Sequence, residues 1–69
     1  MRVSARNTIP GIVRNIVKGP VSTEVTLRVA ENVEMVAIIS TASAEKLGLA
    51  PGNVAYALVK ASNVMIAVD

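Results

Sequence analysis

From Thr23 to Val29 the chain alternates without a break, with Thr23, Val25, Leu27 and Val29 on one side and Glu24, Thr26 and Arg28 on the other. Successive side chains of a strand point to opposite faces, so this stretch predicts a half-buried β-strand. Turn residues bound it. Lys18-Gly19-Pro20 precedes it, where Gly tolerates positive φ and Pro fixes φ. Ala30-Glu31-Asn32 follows it and predicts the next turn. The segments on either side are built from the same β-branched and aliphatic residues. Met1 to Thr8 is polar and predicts an arm. Ile9-Pro10-Gly11 then starts a strand, since Pro is tolerated at a strand's first residue. Ile12, Val13, Ile16 and Val17 continue it with an imperfect alternation. Val33 to Ile39 is a third strand, with faces Val33, Met35, Ala37, Ile39 and Glu34, Val36, Ile38. Both faces are largely apolar, which predicts cover on two sides over part of its length.

The pattern then changes. Ser40 or Thr41 predicts the N-cap of a short helix, Ala42 to Leu47, because their hydroxyls accept from free N–H groups of the first turn. Gly48 is suited to the left-handed position that ends it, with Leu49 as the accompanying apolar residue. Ala50-Pro51-Gly52-Asn53 fits a type II turn. Val54 to Val59 predicts a fourth strand, Lys60 to Asn63 a turn, and Val64 to Val68 a fifth strand; both strands are nearly all apolar and predict two-sided cover. The order β-β-β-α-β-β is that of a mainly-β fold with one short helix, an OB-like five-stranded barrel.

Size limits what such a barrel can do alone. A chain of 69 residues forms one domain, 1–69. It buries only roughly 60% of its unfolded surface, so its core is marginal. Chains this small rely on disulfides, metals or oligomerisation. This one has no Cys and no His, which removes the disulfide and makes a zinc staple implausible. It also has no Phe or Trp and a single Tyr. Oligomerisation remains, and the 52% hydrophobic content fits a chain covered by its own copies. A net charge of +2, with scattered Lys and Arg, is too weak for a nucleic-acid footprint. The longest apolar run, Val54 to Val59, has six residues against the about 20 of a membrane span. The N-terminus lacks a signal-peptide apolar core, so the cytoplasm is the expected location.

Without His or Cys, catalysis would fall to Glu24, Glu31, Glu34, Glu45, Asp69 or the lysines. No two carboxylates have a spacing that suggests an acid–base pair, and no enzyme is expected. Anion binding suits the residues better. A tetrahedral dianion needs converging hydrogen-bond donors, with one or two cations making stronger, charge-assisted bonds. Ser4-Ala5-Arg6-Asn7 supplies a hydroxyl, a guanidinium and an amide; Lys60-Ala61-Ser62-Asn63 supplies an ammonium, a hydroxyl and turn N–H groups. Ser40 offers a hydroxyl at a strand end beside a helix start. We expect the two polar motifs to meet across a subunit boundary. On residue types alone such loops are common, and solvated surface remains open as a reading.

Ser4-Ala5-Arg6-Asn7 with Ile9-Pro10-Gly11, Ala37-Ile38-Ile39-Ser40, Lys46-Leu47-Gly48-Leu49 with Pro51-Gly52, and Leu58 to Ala67 occur in an order that closely resembles the molybdenum–pterin-binding protein (Mop) family, the molbindins. The resemblance covers essentially the whole chain, as a single Mop domain. It implies an OB-like domain assembled as a homohexamer, a trimer of dimers, that binds molybdate or tungstate between subunits. It implies an anion site of Ser4, Arg6, Ser40, Lys60 and Ala61, the last through its backbone N–H. Ser62 and the turn residues Gly19, Val21 and Ser22 are candidates for a second oxyanion site by position. No cofactor and no bare metal cation are implied, only the oxyanion ligand. With the chain ending at Asp69, a free-standing store of molybdenum is expected rather than a sensor. The competing reading is a single-stranded nucleic-acid module, suggested by the OB-type order alone. Such modules need aromatic stacking platforms, and Tyr56 is the one aromatic here.

Overall fold

The computed structural model describes residues 1–69. Four strands form one antiparallel sheet: β1 (Asn7–Lys18), β2 (Ser22–Ala30), β3 (Val33–Ser40) and β4 (Val54–Val59), in the spatial order β3-β2-β1-β4. A seven-residue helix, α1 (Thr41–Leu47), links the two edge strands, and a 3₁₀ turn spans Ala61–Asn63. The curved sheet is a half-barrel. No helix is long and apolar enough to cross a membrane.

β2 follows its alternation: Thr23, Val25 and Leu27 are buried while Glu24 and Arg28 are exposed. β1 does not alternate simply, and its pairing explains why. The register against β2 shifts between Val13 and Asn15, leaving Arg14 as an extra residue. This bulge resets the phase, so Val13 and Ile16, three apart, both turn inward. β1 also starts earlier than expected. Asn7 and Thr8 pair with Val59 and Leu58, so the polar arm is shorter than Met1 to Thr8. The strand runs through Pro10 because residues 7 to 11 pair with β4 alone, β2 joining only at Ile12. A proline is tolerated where one side of the strand carries no ladder. Gly11 fits closely there: a Cβ would lie 3.0 Å from the Arg28 carbonyl oxygen, so any larger residue would push that neighbour back by a few tenths of an ångström.

The helix ends are local chemistry. Ser40 is the N-cap, its Oγ accepting from Ser43 N at 3.0 Å. Gly48 closes the helix at φ 64°. Asn53 N donates to the Ala50 carbonyl at 3.1 Å across Pro51-Gly52, with Gly52 at φ 92°, as a type II turn requires.

Two expectations fail. Val64 to Val68 forms no strand: it has no ladder partner, and Met65 and Val68 are 92% and 91% exposed. The segment joins neither free edge of the open sheet, β3 or β4, so its backbone has no ladder within the chain. The two-sided cover expected of the third and fourth strands is also missing, with Val36 and Ile38 exposed on β3 and Val54, Tyr56 and Leu58 exposed on β4. A single four-stranded layer has only one inner face. The core is accordingly small. Val13, Val25 and Leu27 are its centre, with Ile16, Val29, Ile39, Leu49, Ala55 and Ala57 packed around them.

Candidate functional site

The β1–β4 ladder brings the two polar motifs together within one chain rather than across the expected subunit boundary, because the strands that follow and precede them are direct antiparallel neighbours. Its terminal pair is Asn7 with Val59, and Asn7 Nδ2 donates to the Val59 carbonyl at 3.2 Å. Arg6 immediately precedes β1 and Lys60 immediately follows β4, so both leave the ladder at the same end. Ser4, Arg6, Lys60, Ala61 and Ser62 are all exposed at this corner. The one salt bridge in the molecule is Lys18 with Glu45 at 2.7 Å, so neither Arg6 nor Lys60 is neutralised by a carboxylate. Two free cations beside a hydroxyl and a turn form a surface suited to an anion.

Ser40 lies elsewhere. It pairs with Ser22 at the end of the β2–β3 ladder, on the edge strand opposite β4 and at the opposite end of the sheet from Asn7. The chain therefore divides the first set of candidates, with Ser4, Arg6, Lys60 and Ala61 at one corner and Ser40 at another. The second set divides too: Gly19, Val21 and Ser22 sit by Ser40, and Ser62 sits by Lys60. The Ser40 hydroxyl is also engaged, donating to Ser43 Oγ at 2.7 Å while it accepts from Ser43 N.

The Ser40 corner contains a feature that the sequence did not disclose. Thr41 Oγ1 donates to the Gly19 carbonyl at 2.7 Å and lies 2.8 Å from Thr23 Oγ1, both threonines being buried. Thr41 N donates to the Val21 carbonyl at 2.8 Å. The residues in these contacts lie 18 and 22 positions apart, so only their polarity on an inward face hinted at them. No group of three or more His, Cys, Asp or Glu is placed to hold a metal ion.

The TOBE domain family matches residues 3–66. The molybdenum-pterin-binding protein 2 of Clostridium pasteurianum is 42% identical over 66 residues, covering 96% of this chain and 97% of that protein. A molybdate-binding protein from Sporomusa ovata superposes with a TM-score of 0.91 at 35% identity, over 99% of this chain and all of that one. The cytoplasmic molybdate-binding protein ModG, solved with molybdate bound, superposes with a TM-score of 0.88 at 42% identity, over 94% of this chain and 46% of that one. Other relatives are longer, and the chain spans about a quarter of the length of the first curated proteins it matches. Matched along nearly its whole length by the domain family and by relatives of its own size, the chain belongs to the TOBE domain family and, within it, to the small molybdenum-pterin-binding proteins.

Proposed function

We propose that this chain binds molybdate or tungstate between copies of itself and serves as a cytoplasmic store of the oxyanion. The observation that carries the reading is the corner at the Asn7–Val59 pair, where Arg6 and Lys60 emerge together, exposed and without a carboxylate partner. Ser4 and the Ala61 N–H add neutral donors there. Ser40 of a second copy completes the ring of donors by turning its hydroxyl proton from Ser43 Oγ to the anion, since within one chain it sits at the opposite end of the sheet. Ser62 from one copy and the Gly19–Ser22 turn from another form the second site in the same way. The relatives' molybdate binding supports the ligand class, and ModG's cytoplasmic description supports the location.

The assembly is a homohexamer, a trimer of dimers, in which Val64–Val68 gains a partner and becomes the fifth strand of each barrel. The exposed apolar side chains of that tail and of β3 and β4 support this part of the reading. Residues 1–69 act as one binding domain and carry out no catalysis. Titration with molybdate, tungstate and sulfate, alongside native mass spectrometry, tests the proposal. Hexamers that take up molybdate or tungstate in preference to sulfate are expected, and a chain that binds none of the three overturns it.

A further inference from the structure

We propose that Thr23 and Thr41 are positioning residues that hold the Gly19–Ser22 turn as an oxyanion-binding turn. This rests on the second-site reading given above.

The turn has two kinds of polar group, and Thr41 holds two of its carbonyls, one through its side chain and one through its backbone. Its Gly19 and Val21 carbonyls are both drawn inward, to Thr41 Oγ1 at 2.7 Å and Thr41 N at 2.8 Å. A carbonyl oxygen facing an oxyanion would repel it, so turning these two away removes the unfavourable dipoles. The Pro20 carbonyl is the one acceptor of the turn left without a partner, and two donors stand beside it. Val21 N–H has no partner within the chain, and the Ser22 hydroxyl is exposed and unbonded. Because the Thr41 proton is committed to Gly19, Thr23 is the donor in the 2.8 Å bond between the threonines. That bond fixes the Thr41 rotamer from behind. Gly19 N also donates to Ser22 O at 2.9 Å, and a Cβ on Gly19 would stand 2.6 Å from that oxygen. The turn is thus closed to the limit that glycine allows.

The sequence repeats the arrangement at the start of β2 and at the junction of β3 with α1. Ser22-Thr23 and Ser40-Thr41 pair through Ser22 and Ser40, and in each dipeptide Ser is exposed and Thr is buried. Buried hydroxyls are costly unless bonded, and Val would fill either position with no polar atom to satisfy. Two threonines whose bonds end on the turn are explained by a need to fix its geometry.

The test uses the full chain in its assembled form, with molybdate as the probe. Ser22→Ala first identifies the class of bound molybdate that depends on the turn. Thr41→Val is expected to weaken that same class about tenfold, the scale of one lost hydrogen bond, and to leave the Arg6-dependent class unchanged. Thr41→Ser, which retains the donor, restores it. Val13→Ala serves as a control that destabilises the core away from the turn, and its molybdate affinities stay at wild-type values. A Thr41→Val protein that melts lower but keeps both affinities overturns the positioning role. If Thr41→Val does not assemble, Thr23→Val takes its place: it leaves the bond to Gly19 intact, and a smaller weakening at the same sites is expected. Unchanged affinity in Thr23→Val overturns the proposal. Wild-type protein that takes up no molybdate at all overturns the oxyanion reading itself, a result seen before any threonine variant is made.

Discussion

Arg6 and Lys60 are the residues on which the binding reading turns. A charge-assisted bond contributes about 1.5–3 kcal/mol, so Arg6→Ala should weaken molybdate binding by roughly ten- to a hundredfold in a calorimetric titration. Unchanged affinity would place the opening motif outside the site. Arg6→Lys keeps the charge but loses the planar fork, and an intermediate affinity is expected. Gly48 gives a prediction of a different kind. It stands at φ 64° with nothing within 4 Å of the position of a Cβ. Gly48→Ala therefore meets no clash and bears only the backbone cost of the left-handed region, about 1 kcal/mol, measured by denaturant unfolding at fixed protein concentration.

At the scale of elements, α1 has seven residues, too few to hold together without its ends. Ser40 caps it, so Ser40→Ala should cost about 1 kcal/mol of stability whether or not an anion is bound. Ser40→Asp separates the two roles. Aspartate caps as well as serine, so stability is retained, while its negative charge repels a dianion. We expect Ser40→Asp to unfold at the same denaturant concentration as wild type and to bind molybdate at least about tenfold more weakly. Equal binding would remove Ser40 from the site. The Lys18–Glu45 salt bridge beside this corner joins side chains that are each 61% exposed, and it adds little to either role.

At the scale of the whole molecule, little of the chain is covered by the chain itself. Seven of 69 residues are buried, and the radius of gyration is 12.7 Å, against about 11 Å for a compact chain of this length. The excess fits the unpaired tail. Covering Met65, Ile66 and Val68 would contribute about 1.5–3 kcal/mol for each side chain, enough to matter for a core of this size. For the proposed hexamer, deleting residues 64–69 should therefore give monomers or lower oligomers in native mass spectrometry. A truncated chain that still forms hexamers would show that the tail is not part of the interface.

What could be read from the sequence was whatever is decided by neighbours in the chain. The β2 alternation, the Ser40 cap, the left-handed Gly48 and the Pro51-Gly52 turn each depend on a few consecutive residues, and each appears where those residues placed it. The resemblance likewise named Arg6 and Lys60, because motifs survive as strings. Tertiary structure decided the rest. The bulge at Arg14 exists only against β2, and it set which side of β1 is buried. The Thr23–Thr41–Gly19 bonds join residues too far apart in sequence for any local pattern to reveal them. The failed fifth strand has the same cause: Val64–Val68 has the composition of a strand, but a strand needs a partner for its backbone groups, and the tertiary arrangement brings it to neither free edge of the sheet.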